Sequence, residues 1–326
     1  MKKNIVLHHN DRDGYAAAAC EYLYDEPNNP TLQKEFISVD YSEPLIAKLP
    51  LEEYENANKI YLLDYSISTE ANVEFARRFS HKIVWIDHHL SSIRTLKKYP
   101  DLDDIRGYRN IGLSGALLAW LYFNKRNVPD TIQILLLNNQ TISDTDVLKI
   151  INICQPPKII EYTHLYDTWQ INSIVTKFNF GHFDFTVESI ADEIKKDSPT
   201  RFSEIIMDGE TIQKYIVSEY EKNIEEYGVP FTIVYRGNKY SCIMVNMHRP
   251  NSLKFGFYAD EYDILMPFFF NGKKFNYSLY KGTKQQTSDL DVSKIAELFG
   301  GGGHKNAAGF VLDEPFKIKN GQFLDL

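Results

Sequence analysis

The chain has 326 residues, of which 43% are hydrophobic and 25% are charged, and its formal net charge is −8. This length accommodates two domains, each with its own core, and the composition excludes a disordered chain. No stretch approaches the ~18 apolar residues of a membrane span, and the acidic balance argues against a general duplex-binding protein.

The N-terminus and the cysteines favour a cytoplasmic protein. Residues 4–7 form only a short apolar run before His8, which is typical of a strand rather than of a signal peptide. Cys20, Cys154 and Cys242 are widely spaced and form no CxxC pair. We therefore expect free thiols in a reducing compartment and no association with a membrane.

The first predicted strand, residues 4–7, leads into an acidic loop and then into an alanine-rich helix over residues 15–23. His9, Asp11 and Asp13 stand at alternate positions of that loop, from where they could face one cation. Oxygen ligands mixed with imidazole suit Mn²⁺, Mg²⁺ or Fe²⁺ better than a sulfur-rich zinc site. A single glycine in the loop argues against a nucleotide P-loop, although Asp-x-Asp is also common in solvated turns.

Further predicted strands end on residues of the same kind. The strand over 59–63 is followed by Asp64, and the strand over 83–86 is followed by Asp87-His88-His89. Together with a strand over 36–41 and a helix over 69–79, they form a βαβ alternation that predicts a parallel sheet with right-handed crossovers. Ligands of such sheets bind at the carboxyl ends of the strands. The groups expected at that edge are His9, Asp11, Asp13, Asp64, Asp87, His88 and His89.

The middle of the chain is predicted to be helical. Ser114 could cap an amphipathic helix, and a second helix is expected over residues 131–137. One of Asp144 and Asp167 is expected to add a last carboxylate to the site, and periodicity does not choose between them. Residues 189–227 are helical in pattern and densely charged, which is typical of a solvated helix face.

The predicted helical segment ends at residues 228–230, and strand patterns follow it. They cover residues 231–235, 240–245, 264–270 and 275–279, and Asn271-Gly272 predicts a hairpin between the last two. A helix over 292–299 runs into Gly300-Gly301-Gly302-Gly303-His304. Backbone amides of such glycines and an imidazole can approach an anion closely.

Together these motifs resemble the DHH phosphoesterase superfamily over nearly the whole chain. The resemblance rests on the segment from His9 to Gly14, on Asp64, on Asp87-His88-His89 and on the glycine-rich stretch before His304, which is similar to the family's associated C-terminal domain. The segment Tyr166-Asp167-Thr168-Trp169 looks like the branch of nanoRNases and oligonucleotide phosphodiesterases. In that branch the Asp before Trp is a metal ligand, so Asp167 is preferred to Asp144.

The resemblance implies a two-domain α/β fold. An N-terminal, doubly wound and mostly parallel sheet domain would cover residues 1–188, and a helical connector would cover 189–228. A smaller C-terminal α/β domain, residues 229–326, would bind substrate, with a catalytic cleft between the domains.

The resemblance also implies two divalent ions, with Mn²⁺ expected and Mg²⁺ or Fe²⁺ as alternatives. One ion would be held by His9, Asp11 and Asp64, and the other by Asp13, Asp64, His88 and Asp167. His89 would lie near the scissile phosphate, and Asp87 would orient the histidines. His304 and the backbone amides of Gly301, Gly302 and Gly303 would bind a phosphate of the substrate.

The chain departs from the family pattern at Tyr280, where the associated domain often carries an arginine. Lys281 or Lys284 could substitute with a looser point charge. Ser114 and Arg109 are further candidate substrate contacts. Asn246, His248 and Arg249 remain open as extra phosphate contacts.

The expected activity is hydrolysis of short oligonucleotides to nucleoside monophosphates, with short single-stranded RNA or dinucleotides as substrates. Alternatives are a phosphodiesterase for cyclic or linear signalling dinucleotides, a pyrophosphatase or exopolyphosphatase, and a catalytically silent nucleotide-binding regulator. Aromatic residues such as Tyr65 and Trp169, which could stack a base or lie in the core, favour nucleotides over inorganic substrates. The sequence leaves the oligomeric state open, a homodimer included.

Overall fold

The computed structural model describes residues 3–24, 32–41, 44–137, 141–182, 186–285, 288–318 and 322–325. The chain divides into two compact units, Met1–Glu210 and Thr211–Leu326. The division lies within a 29-residue helix, Pro199–Tyr227, and so within the predicted connector. Within the ranges just given, no helix is both long enough and apolar enough to cross a membrane.

The first unit contains a four-stranded parallel sheet with helices between its strands. Its strands and helices are β1 (Lys3–His9), α1 (Arg12–Leu23), β2 (Gln33–Val39), α2 (Leu51–Asn56), β3 (Lys59–Leu63), α3 (Glu70–Phe79), β4 (Ile83–Ile86) and α4 (Leu90–Lys98). The strand order is β2-β1-β3-β4, and every pair is parallel. The predicted parallel sheet is confirmed.

Helices complete the first unit. They are α5 (Gly115–Phe123), α6 (Asp130–Leu136), α7 (Asp144–Cys154), α8 (Lys158–Asp167), α9 (Ser173–Gly181), α10 (Val187–Lys196) and the first part of α11 (Pro199–Tyr227). As expected, Ser114 caps α5, since its hydroxyl accepts a hydrogen bond from Leu117 N at 3.4 Å.

Both faces of this sheet are covered, which explains why the middle of β1, residues 60–63 of β3 and all of β4 are apolar. Along β3, Tyr61 and Leu63 pack in one hydrophobic cluster with α1 and α5. Ile60 and Leu62 pack in a second cluster on the opposite face, with α3. Successive side chains of a strand point to opposite faces, so a doubly covered parallel strand is hydrophobic at every position.

The second unit contains a seven-stranded, mostly antiparallel sheet of order β11-β5-β6-β7-β8-β10-β9. Its elements are β5 (Val229–Tyr235), β6 (Asn238–Asn246), α12 (Tyr258–Glu261), β7 (Ile264–Phe270), β8 (Phe275–Lys281), α13 (Val292–Glu297), β9 (Gly302–Gly303), β10 (Ala307–Leu312) and β11 (Gln322–Asp325). The predicted hairpin at Asn271-Gly272 is confirmed, since β7 and β8 pair antiparallel around it and Gly272 has φ +90°. The expected second α/β unit is therefore present.

Candidate metal centre

Three adjacent strands of the first unit end at the same edge of the parallel sheet. In the register of the sheet, His8 pairs with Leu63, and Leu63 pairs with Ile86. The residues that follow these positions, His9, Asp64 and Asp87, therefore emerge side by side. This is the carboxyl edge at which ligands of open α/β sheets bind.

Asp64 is placed by an unusual backbone. Its φ of +54° lies in the left-handed region, which a residue with a side chain adopts at a cost. Gly115 approaches this carboxylate so closely that a Cβ there would lie 2.6 Å from the Asp64 Cβ. The position of this buried carboxylate thus requires both a strained backbone at Asp64 and a glycine at position 115.

Two further carboxylates are fixed by helix N-termini. Asp11 caps α1, its Oδ1 accepting from Gly14 N at 2.9 Å. Asp13 accepts at the start of α5, from Gly115 N at 2.6 Å and Ala116 N at 3.0 Å. Helix N-termini favour such negative charges because their free amides and dipoles point at them.

These side chains form three overlapping groups. Within each group, the possible ligand atoms all lie within 4.8 Å of one another. The groups are His9, Asp11 and Asp64; Asp13, His88 and Asp167; and Asp64, His88 and His89. His88 joins them, since its Nε2 lies 3.2 Å from Asp64 Oδ1, 3.3 Å from Asp167 Oδ2 and 3.8 Å from Asp13 Oδ2. Asp144 belongs to none of the three.

The crowding of carboxylates fits a bound cation. Burial, with Asp13 and Asp11 nearby, raises the pKa of Asp64 well above its ordinary value. Burial and Asp13 do the same to the pKa of Asp167. Asp64 Oδ1 and Asp167 Oδ2 are buried without a hydrogen-bond partner among the described residues. Oxygen and imidazole donors of this kind suit a hard or borderline divalent ion.

Asp87 lies beneath the cluster and orients His89. Its Oδ1 lies 2.7 Å from His89 Nδ1, and its Oδ2 accepts from the Ser92 hydroxyl. Burial opposes ionisation of Asp87, but His89, together with His88 and the Ser92 hydroxyl, outweighs burial and lowers its pKa. A carboxylate in this position fixes the ring plane of the imidazole.

The structure adds two residues that sequence reasoning missed. His164, three residues before Asp167 on α8, is buried, and its Nδ1 accepts from Ser114 N at 3.2 Å. Tyr41 follows β2, and its ring centroid lies 5.4 Å from that of His9. The i, i+3 spacing of His164 and Asp167 was a usable signal, whereas nothing local distinguished Tyr41.

Two predicted substrate contacts of the first unit are buried. Ser114 is fully buried at the N-cap of α5. Arg109 is also buried, and its guanidinium donates to Trp85 O at 3.1 Å and to Asp103 O at 3.4 Å. That Ser114 and Arg109 contact a substrate stays a prediction. In the structure, both side chains contact the protein's own backbone.

The remaining predicted substrate contacts lie in the second unit. Gly302 and Gly303 form the short strand β9 against β10. A Cβ at Gly301 would lie 2.0 Å from Gly309 O, so packing alone requires that glycine. His304 is exposed, whereas Lys281 is buried and donates to Ser288 O at 2.9 Å. Their role in gripping a phosphate stays a prediction.

No protein-family model and no curated protein sequence matches the chain. Among solved structures, the DHH domain of PF0399, a member of the s1p family of ribosomal proteins, aligns with a TM-score of 0.50 at 14% identity over 95% of this chain and 82% of that one. A pGpG-specific phosphodiesterase, PggH from Vibrio cholerae, aligns with a TM-score of 0.46 at 12% identity, over 96% and 94%. The exonuclease RecJ bound to manganese aligns with a TM-score of 0.44 at 14% identity, over 96% and 86%.

The alignment with the PF0399 domain covers both units and shows that the chain has the two-domain DHH fold. The predicted fold class is therefore confirmed. At 14% identity the likeness concerns the fold alone.

Proposed function

We propose that this protein is a divalent-metal-dependent phosphoesterase of the DHH superfamily that hydrolyses short oligonucleotides to nucleoside monophosphates. The observation that carries the proposal is the set of three overlapping ligand groups, in which Asp64 and His88 each occur twice. Overlapping groups that share ligands are typical of two-metal phosphoesterase sites. The shared DHH fold supports the superfamily.

Two divalent ions, Mn²⁺ foremost, fit the donor set. His9, Asp11 and Asp64 would hold one, and Asp13, Asp64, His88 and Asp167 would hold the other, so that Asp64 would be a ligand of both. When bound, such ions supply positive charge that polarises phosphoryl oxygens and activates water. The buried oxygens of Asp64 and Asp167 that accept no hydrogen bond from the described residues would be the protein's contribution to that charge balance.

Asp87 and Ser92 lie beside the cluster and position His89; they form no bond to the substrate in this proposal. Asp87 and Ser92 hold His89 in one ring plane beside Asp64, its Nδ1 lying 3.9 Å from Asp64 Oδ1. An imidazole fixed in this way can donate to a phosphate oxygen of a bound substrate without first reorganising.

Tyr41 supports a nucleotide substrate over pyrophosphate or polyphosphate. Its side chain is 46% exposed, and its ring stacks on the buried Tyr65 with centroids 4.7 Å apart. Ser66 N donates to its hydroxyl at 3.1 Å, so the ring is held in one orientation. A rigid, exposed aromatic ring beside the cluster is a platform on which a nucleobase can stack. Tyr65, the base-stacking candidate named from sequence, instead supports this platform from within the core.

The experiment that tests the proposal is turnover of a short end-labelled RNA with Mn²⁺, resolved by length over time. Linear pGpG, a cyclic dinucleotide and pyrophosphate are assayed beside it. We expect the RNA to shorten to mononucleotides and pyrophosphate to stay intact. Inert RNA with hydrolysed pyrophosphate would overturn the substrate class while leaving the metal centre in place.

A variant pair sharpens the choice of substrate. Tyr41→Ala should raise the KM for RNA about tenfold, since stacking on one aromatic ring contributes ~1–3 kcal/mol. Tyr22→Ala is the matched control, because Tyr22 is 44% exposed in the same unit and contacts Phe36 on β2 rather than the cluster. Equal effects of the two variants would exclude a base platform at Tyr41.

A further inference from the structure

The loop after β6, residues 247–250, contains a strained arginine. Arg249 has φ +51°, a left-handed conformation that costs free energy in any residue with a side chain. Arg236 has the same φ, but it forms a hairpin turn with Gly237 (φ +76°) between the antiparallel strands β5 and β6. Two-residue hairpins of this type require positive φ at both positions. No hairpin explains Arg249, because β6 pairs with β7 in parallel.

The strained loop is held by side chains that donate to three consecutive carbonyl groups. Tyr220 donates to His248 O at 3.2 Å, Lys254 to Arg249 O at 2.8 Å, and Tyr280 to Pro250 O at 3.2 Å. Lys254 also lies 3.2 Å from His248 O. The backbone is thereby fixed, and the side chains of His248 and Arg249 are exposed. Such over-determined strain clusters at ligand-binding positions.

Arg249 is a cation without a counterion in the described part of the chain, where no carboxylate forms an ion pair with it. The ammonium of Lys254 is already committed to carbonyl oxygens, and burial together with Arg249 lowers its pKa. A protein of net charge −8 thus carries two consecutive exposed residues, with an imidazole and a guanidinium, on a fixed stretch of backbone. The guanidinium fork matches the oxygens of a phosphate group.

We propose that Arg249 and His248 form a phosphate-binding site in the second unit, which takes the terminal phosphate monoester of a short oligonucleotide. Under the proposed function the reacting phosphodiester would lie at the metal cluster, whereas a terminal monoester carries extra negative charge that a guanidinium can match. The site would select chains with a terminal phosphate over unphosphorylated chains. The chemical class of this ligand rests on the proposed function, but its binding does not require turnover.

The test compares binding of the dinucleotides pApA and ApA to the full-length protein in EDTA by isothermal titration calorimetry. We expect the wild type to prefer pApA, and Arg249→Gln to weaken pApA binding about tenfold, which corresponds to the loss of one charge-assisted contact. Binding of ApA should not change. Arg236→Gln is the matched control, with the same residue type, exposure and φ at the opposite end of β6, and should bind both ligands as the wild type does.

A second measurement separates ligand binding from a merely structural role. Glycine adopts positive φ freely, so Arg249→Gly and Arg236→Gly should both raise the Tm, while only Arg249→Gly should lose pApA affinity. Equal pApA binding by Arg249→Gln and the wild type, or equal losses in the two glutamine variants, would overturn the proposal. So would a wild type that does not bind pApA. Arg249-dependent binding without hydrolysis would instead overturn the proposed function alone.

Discussion

Asp64 in the first unit and Asp263 in the second are buried aspartates next to a strand, yet their surroundings are opposite. Asp263 is 8% exposed, and its Oδ2 accepts from Ser241 N at 2.7 Å and from Ser241 Oγ at 2.8 Å. Its Oδ1 accepts from Gln285 at 2.6 Å and lies 3.3 Å from Lys284 Nζ. Asp64 is 1% exposed, and its Oδ1 has no hydrogen-bond partner among the described residues.

The pKa values of the two carboxyl groups move in opposite directions as a result. Burial opposes ionisation of Asp263, but hydrogen bonds from Gln285 and Ser241 lower its pKa below the ordinary value. Burial and two neighbouring carboxylates raise the pKa of Asp64. A buried acid is therefore not in itself a sign of function. The sign is a buried acid that lies among other carboxylates and has an oxygen that accepts no hydrogen bond.

The largest expected effect is that of Asp64→Asn on catalysis. Loss of the carboxylate that we propose as a ligand of both ions should reduce turnover of RNA by about three orders of magnitude, as expected when several kcal/mol of metal-ion stabilisation are removed. In EDTA the variant should be at least as stable as the wild type, because a buried acid crowded by Asp11 and Asp13 is replaced by a neutral amide. Initial rates with Mn²⁺ and denaturation in EDTA measure the two effects. Wild-type turnover in the purified variant would contradict the two-metal assignment.

Addition of Mn²⁺ should stabilise the protein through the first unit. At a free concentration about 100 times the Kd, a ligand of the folded state raises the free energy of unfolding by ~2.7 kcal/mol. Thermal unfolding with and without EDTA measures this shift. Asp64→Asn should lose most of the shift and Asp263→Asn should keep it. A shift that Asp64→Asn retains in full would place the metal elsewhere.

The smallest of these three effects is that of Asp263→Asn, and it concerns stability alone. Loss of charge-assisted hydrogen bonds to Ser241 and Gln285 should lower the free energy of unfolding by about 2 kcal/mol. Because the folded state lowers the pKa of Asp263, this contribution is complete above the unfolded pKa of ~4 and is lost as the pH falls through the folded pKa. Urea denaturation of both proteins at neutral and acidic pH measures the difference. A gap that stays constant or widens in acid would refute this account, as would a loss of turnover per folded molecule.

Much of the site could be predicted from sequence because its residues lie at the ends of strands. Apolar runs located β1, β3 and β4, and a parallel sheet necessarily brings the residues after them to one edge. His9, Asp64 and Asp87 are adjacent for that reason alone. The hairpin at Asn271-Gly272 could also be predicted from local sequence, since two turn residues between apolar runs specify it.

Long-range packing decided the rest. Only the position of α8 places Asp167, rather than Asp144, 3.3 Å from His88, and no periodicity records that distance. Packing also buried Ser114, Arg109 and Lys281, and it stacked Tyr41 on Tyr65. The carbonyl contacts that hold Arg249 come from α11, β8 and the segment after the loop itself. Residue types and local spacing thus specify the strands and the chemistry at their ends, whereas burial and partner choice depend on which distant segments pack together.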